Sequence, residues 1–265
     1  MRIKPCPLPQ CGSCCLGRKA LAIFLISPGI FIAKGQEALF NAISVQNNIG
    51  NASSAFVPAP DQPHLAVARR SEMPLRTIHD GPKAIALTID DGPDPVYTPQ
   101  VLALLARYRV TATFSMIGIE AQAHPAVARE VAAAGHLIVN HTWTHLNLAW
   151  LSPAMVTEQM SRATDAIHAA TGRFPRLFRA PYGAWSPFVL SQCARTGMAP
   201  LGWSVDPRDW SRPGVTAIVT NIMRNTRTGS IILEHDGGGN RSQTVAALKI
   251  VVPRLLAAGY HFRTP

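Results

Sequence analysis

The chain has 265 residues, 47% of them apolar, and a formal net charge of +10, enough for a sizeable core in one large or two small domains. The charge divides evenly: residues 1–79 hold eight Lys/Arg against three Asp/Glu, residues 80–265 hold seventeen against twelve, and each part carries +5. The larger part is thus only mildly basic and has no Lys/Arg cluster interleaved with aromatics, so nucleic-acid binding has no support; a modest positive field suits an anionic surface such as a cell envelope.

Cys6, Cys11, Cys14 and Cys15 crowd the N-terminus, while Cys193 stands alone. Cys11-Gly-Ser-Cys14 has metal-ligand spacing, but no second Cys/His pair follows at zinc-ribbon distance, so a membrane-proximal or cleaved segment with incidental cysteines is expected. Arg18-Lys19 precede an apolar run, Ala20 to Ala33, which is broken by Pro28-Gly29 and followed by Lys34. The run falls short of the about 20 residues of a membrane span. A positive flank ahead of a short apolar core is the anatomy of a signal peptide. Residues 1–34 therefore read as a signal peptide or signal anchor. That implies a secreted protein, or one held in the envelope through residues 18–34; the competing reading is a buried helix of a cytoplasmic protein. Residues 35–79 lack a sustained period, contain Pro58-Ala59-Pro60, and read as a linker.

From about residue 80 the texture becomes alternating. Strands are expected over 84–89, 110–116, 136–140, 176–179, 199–205, 230–235 and 260–263. Helices are expected near 98–107, 124–134, 153–170, 187–197, 214–226 and 242–258. Ser152-Pro153 and Ser186-Pro187 supply helix-start chemistry, with Pro at a tolerated first-turn position. Such alternation implies a parallel sheet covered by helices, either open and doubly wound or a barrel one unit short of eight.

Asp90-Asp91, His141, Arg179, Asp206 and His235 each follow the end of a different expected strand, and parallel α/β folds gather those ends at one face. The Gly237-Gly238-Gly239 cluster has no nucleotide-binding spacing. Asp90 and Asp91 end an apolar run and would repel each other in a dry place, unless a divalent cation offsets the charge. His141-Thr142-Trp143-Thr144-His145 places two imidazoles four apart, and on a helical turn they would share a face and chelate one ion. Two His and one carboxylate, Asp91, make a common catalytic zinc set, although iron uses similar ligands. Successive side chains diverge, so Asp90 is better placed as base toward the water that the cation activates. His235 is the candidate acid, Asp209 could hold and charge its imidazole, and Arg179 would keep Asp90 ionised. Singly, each has a structural alternative: Asp206-Pro207 could merely start a turn, and Arg179 could be a surface residue at a strand end. Trp150, Trp185 and Trp203 could stack on sugar rings or pack in the core.

Thr88-Ile89-Asp90-Asp91-Gly92-Pro93, His141-Thr142-Trp143-Thr144-His145, Arg179-Ala180-Pro181-Tyr182-Gly183, Asp206-Pro207-Arg208-Asp209-Trp210 and Leu233-Glu234-His235 resemble, in order, the five motifs of the NodB-homology polysaccharide deacetylases, carbohydrate esterase family four. The resemblance covers about residues 80–265. It implies a deformed (β/α) barrel of about seven parallel strands, with the active site at their C-terminal ends. A bound divalent metal is implied, zinc first and cobalt or a similar ion as alternatives, together with removal of acetyl groups from N-acetylglucosamine-type units of peptidoglycan or a chitin-like polymer or oligosaccharide. Residue by residue it implies Asp91, His141 and His145 as ligands, Asp90 as base, His235 as acid, Arg179 orienting Asp90 and Asp209 tuning His235. The backbone N–H of Tyr182 would help hold the oxyanion, and Trp210 with Leu233 would line the acetyl pocket. Ile89 departs from the usual Phe, a volume change expected to stay clear of the chemistry. The alternatives are an acetylxylan-type O-deacetylase, a hydrolase of small cyclic amides, and a non-catalytic envelope protein that binds carbohydrate.

Overall fold

The computed structural model describes residues 73–265; the expected signal segment, its cysteines and most of the expected linker lie outside them. Strands and helices alternate as β1 (Ala84–Asp90), α1 (Tyr97–Tyr108), β2 (Thr113–Met116), α2 (Gly118–Ala123), α3 (Pro125–Ala133), β3 (Leu137–Asn140), α4 (Pro153–Thr171), β4 (Leu177–Phe178), α5 (Pro187–Thr196), β5 (Ala199–Pro200), α6 (Val215–Asn225), β6 (Ile231–His235), α7 (Ser242–Ala257) and β7 (His261–Phe262). The sheet order is β5-β4-β3-β2-β1-β6, with β7 against the start of β1, and every strand pair is parallel. Among the described residues no helix is long and apolar enough to cross a membrane.

The central strand shows why this sheet curls. β1 is buried along its whole length, and strand alternation sends successive side chains to opposite faces. Ile85, Leu87 and Ile89 join the large core formed with the helices. Ala84 and Ala86 face inward with Val139, Leu201 and Ile231. Small residues on the inner face leave room for the sheet to close over itself, and the same face continues upward as Thr88 and Asp90. Ile89, the departure from the family pattern, faces the helices.

Closure is completed by segments that are not full strands. Leu75 bridges Leu201 in parallel and Thr77 bridges Ser230 in antiparallel fashion, so residues 75–78 fill the lower gap between β5 and β6. The folded domain thus begins inside the stretch read as linker: Leu75 and Ile78 pack on the inner core, a pattern too short to stand out against a polar surround. At the upper end, Ser204 and Val205 donate to the Ile231 carbonyl. The expected strand 199–205 is therefore two pieces. Pro200 pairs with β4 while Val205 reaches β6, and Gly202 and Trp203 cross between these partners. The short helix α2 was not expected. It is six residues long, too brief for a helical period, and it approaches α4 closely: a Cβ on Gly118 would lie 2.6 Å from the Ala163 Cα.

Helix ends follow the expected chemistry. Ser152 and Ser186 accept hydrogen bonds from the backbone N–H of Met155 and Val189, Pro follows each, and Gly172 and Gly197 end the helices with positive φ.

Candidate active site

Register brings the functional side chains level. Asp90 pairs with Ser115 on one side and His235 on the other, and Asn140 pairs with Met116 and Phe178. The residues just past these positions surround a cleft of about 330 Å³ lined by Asp90, Asp91, His141, His145, His235 and the wall residues Tyr182, Trp203, Trp210 and Leu233. A wider groove of about 800 Å³ along Pro213–Asn225 is lined by no carboxylate, histidine or thiol.

Asp90 keeps strand geometry, whereas Asp91 takes φ +76°; instead of diverging as successive strand side chains would, both carboxylates line the same cleft, with Asp90 Oδ2 3.8 Å from His141 Nε2. Asp91 Oδ1 lies 3.4 Å from His141 Nε2 and 3.3 Å from His145 Nε2. One ligand atom from each of these three residues falls within 4.8 Å of the others. Asp91 Oδ1 is buried with no hydrogen-bond partner, a costly state for a polar atom unless something electropositive meets it. Burial opposes ionisation of Asp91, but His141 first, then His235 and His145, outweigh it and hold its carboxyl well below the usual range. Burial and the neighbouring His141 push His145 downward, toward the neutral form that ligates metals. His141 Nδ1 lies 2.8 Å from the Arg179 carbonyl. A carbonyl only accepts, so Nδ1 carries a proton and Nε2 is the nitrogen that faces Asp91. These donors fit a divalent metal.

The two histidines do not sit on a helix, as their spacing suggested. Residues 141–147 form an irregular loop in which Thr142 and His145 have positive φ. Local side chains hold it: Asn140 Oδ1 accepts from Thr142 N, and Thr142 Oγ1 accepts from His145 N, at 2.8 and 3.0 Å. Such side-chain-to-backbone bonds favour turns over helix.

Arg179 is fully buried, not a surface residue. Its Nη1 donates to both Asp90 oxygens at 3.1 and 3.2 Å and to Thr88 Oγ1 at 2.8 Å, and Nη2 donates to the Gly202 carbonyl at 3.0 Å. Across the cleft, His235 Nδ1 lies 2.7 Å from Asp209 Oδ1, while Asp209 Oδ2 accepts from His235 N and Thr244 Oγ1. Burial opposes ionisation of Asp209, but His235 holds its carboxyl below the usual range. Burial also disfavours a charged His235, yet the Asp209 hydrogen bond and charge, with Asp91 and Asp90 behind them, raise it to about 9.

The remaining expected residues also border the cleft. Tyr182 has φ +59° and sets its exposed ring edge-on to His145 at 4.7 Å. Trp210 is half-exposed with the Arg208 guanidinium 5.1 Å above it, and Leu233 is buried. Asp206 lines the cleft and accepts from Arg208 N, the turn role weighed for it. Of the three tryptophans, Trp203 forms cleft wall, Trp185 packs on the core with Phe178, and Trp150 is 85% exposed. Sequence reasoning did not single out Thr88, Thr244 or the function of Gly237. A Cβ on Gly237 would collide with the Asp91 carbonyl, so the glycine run serves close backbone approach; the bare cluster signalled only a missing nucleotide motif.

A parallel α/β barrel carrying an Asp-His-His metal group between a clamped aspartate and an aspartate-held histidine is the architecture of a metal-dependent hydrolase. A polysaccharide deacetylase family profile matches residues 78–201. The chain is 45% identical over 204 residues to a chitooligosaccharide deacetylase of Sinorhizobium fredii, covering 72% of this chain and 95% of that protein. It is 43% identical over 184 residues to a peptidoglycan-N-acetylglucosamine deacetylase of Bacillus cereus, covering 69% and 86%. The crystal structure of the Bc1960 peptidoglycan N-acetylglucosamine deacetylase superposes with a TM-score of 0.69 at 32% identity over 71% of this chain and 89% of that one. BA3943 of Bacillus anthracis, described as a family-four pseudoenzyme, superposes with a TM-score of 0.68 at 29% identity over 73% and 68%. The chain belongs to the polysaccharide deacetylase family, carbohydrate esterase family four.

His141→Ala is expected to remove bound divalent metal, whereas His235→Ala retains it; metal content of the purified variants by mass spectrometry checks this.

Proposed function

We propose that the chain is a metal-dependent N-deacetylase that hydrolyses the acetamide of N-acetylglucosamine units in chitooligosaccharides or peptidoglycan-type glycans. The observation that carries this reading is a single cleft that holds the Asp91-His141-His145 group, the Arg179-bound Asp90 and the Asp209-bound His235. The relatives named above, called chitooligosaccharide and peptidoglycan deacetylases, support the substrate class. A related protein is described as a pseudoenzyme, so the fold alone does not secure activity; here the motif residues Asp90, Asp91, His141, His145, Arg179, Asp209 and His235 are all present.

Asp91, His141 and His145 would hold the ion, with zinc the first expectation for two imidazoles and a carboxylate. When bound, such an ion supplies Lewis-acid polarisation and makes water a competent nucleophile near neutral pH. Asp90 is the base: Arg179 fixes both its oxygens, so its remaining lone pairs face the cleft to accept a proton from water. The backbone N–H of Tyr182, at its left-handed turn, is assigned to the developing oxyanion. His235 delivers a proton from Nε2 to the leaving amine, because Nδ1 is engaged by Asp209. Trp210 and Leu233 form the apolar wall for the acetyl methyl. General acid and base groups of this kind each contribute about 10²–10⁴-fold. For residues 1–34 we retain the signal or anchor reading, which would bring the domain to envelope glycans, with the domain itself starting near residue 75.

Two measurements test this. Acetate release from N-acetylglucosamine oligomers is expected, to be abolished by chelation and restored by zinc or cobalt; release from acetylated xylan alone would instead favour the O-deacetylase reading. His235 titrates near 9 because Asp209 outweighs burial, so the acid form persists at neutral pH and activity falls on the alkaline side. Asp209→Asn removes the raising charge and is expected to move that alkaline limb downward, toward the about 6.5 of free imidazole, as read from kcat/KM against pH.

A further inference from the structure

Glu234 is a buried acid beside the site with no part in the reaction just described; Asp236 is another, but Thr98 donates to it. Strand alternation places Ile231 and Leu233 of β6 toward the barrel interior and cleft, and Ile232 with Glu234 on the helix-facing side. Glu234 is completely buried, and neither of its side-chain oxygens has a donor. The charged groups that act on it are Asp209 and Asp206, both acids. The buried cation of the neighbouring loop, Arg241, directs its N–H groups instead to the carbonyls of Gly237, Gly238 and Trp210. Asp209 already accepts from His235 N, His235 Nδ1 and Thr244 Oγ1 and, as a carboxylate, has nothing to donate.

Asp209 Oδ2 sits at the backbone N–H of His235, the residue after Glu234, and against Thr244 of α7, on the helix side that Glu234 faces; two carboxyl groups placed this way can share a hydrogen bond only when one carries the proton. Asp209 pairs with the basic imidazole, so the proton belongs to Glu234. We propose that Glu234 is a proton-bearing positioning residue that donates its O–H to the Asp209 carboxylate. It thereby adds a fourth hydrogen bond to the anchor of His235 and draws negative charge from it. Burial first, and then the Asp209 charge, push the Glu234 carboxyl well above the usual range, in keeping with this arrangement. An acid kept neutral by an apolar site so that it can donate is a known catalytic device. Its consequence here is graded. A weakened Asp209 raises the basicity of His235 less, which keeps the imidazolium acidic enough to give up its proton to an amine. The effect on His235 rests on the deacetylase reading; the proton on Glu234 does not.

The experiment is infrared difference spectroscopy of the full chain at about pH 8, with glutamate side chains labelled with ¹³C so that the C=O stretch of a protonated glutamic acid is separated from aspartate bands. The label is needed because burial also pushes Asp236 up, to about 7. The expected result is one protonated glutamate band, absent in Glu234→Gln. Glu234→Gln keeps a neutral N–H donor, so its alkaline limb of kcat/KM should stay within about 0.3 pH units of the parent's. Glu234→Leu, which cannot donate, should move the limb upward. Absence of the band in the parent protein, or a fall of more than about 100-fold in kcat/KM for Glu234→Gln at pH 7, overturns the proposal. A band that vanishes in Glu234→Gln, in a protein that deacetylates none of the glycans, retains the proton assignment and removes the deacetylase reading. If Glu234→Leu does not fold, the band and the Glu234→Gln profile decide.

Discussion

The buried guanidinium of Arg179 is the interaction on which the site depends. It reaches from the end of β4 to Asp90 at the end of β1, strands separated in the sheet by β3 and β2. That reach exists only because the sheet curls, and small inner residues such as Ala84 and Ala86 permit the curl. The charge is compensated by Asp90, Thr88 and the Gly202 carbonyl, with the Trp203 ring 5.7 Å away. Removing one partner of such a buried pair costs about 3–5 kcal/mol, because the other is left uncompensated. The backbone of the same residue accepts from His141 Nδ1 and so sets which nitrogen faces Asp91. One residue therefore fixes Asp90 through its side chain and His141 through its carbonyl.

The adjacent aspartates divide because backbone conformation changes between them. Asp90 remains in the ladder, paired with Ser115 and His235, while Asp91 leaves it at φ +76°. The turn is packed from below: Gly237 lies against the Asp91 carbonyl and Gly92 against the Asp236 carboxyl, with no space for a Cβ at either. Thr98 donates to Asp236 at 2.6 Å and ties this packing to α1. The two carboxylates thus meet different surroundings: Asp90 is held by the guanidinium with His141 Nε2 at 3.8 Å, while Asp91 lies between His141 and His145, in line with the separate roles assigned to them.

Much of this was legible in the chain. β1 announced itself as an apolar run ended by charge, and the helix starts at Ser152-Pro153 and Ser186-Pro187 carried their own caps. The order of the five motifs pointed to the family, and the cleft brings their polar residues together. What escaped had short range or no period. Residues 75–78 bury only Ile78, with Leu75 half-buried, and pair with distant segments at β5 and β6. The stretch 199–205 looked like one strand because its apolar content is continuous, but its partners change midway. The histidine pair fitted helical spacing, yet Asn140 and Thr142 captured backbone N–H groups and bent the chain into a loop. Glu234 was invisible as anything but a residue inside a motif, since its meaning comes from the acids packed around it.

The central claim is that Asp91 holds the metal while Asp90 handles the proton. The most direct test measures, in one set of samples, bound zinc per chain and the rate of acetate release from N-acetylglucosamine oligomers for the parent, Asp90→Asn and Asp91→Asn. The expected result is an Asp90→Asn protein that keeps its zinc and loses at least about 100-fold in rate, beside an Asp91→Asn protein that loses the zinc as well. Equal zinc loss in both variants, or an Asp90→Asn protein that turns over at the parental rate, would contradict it.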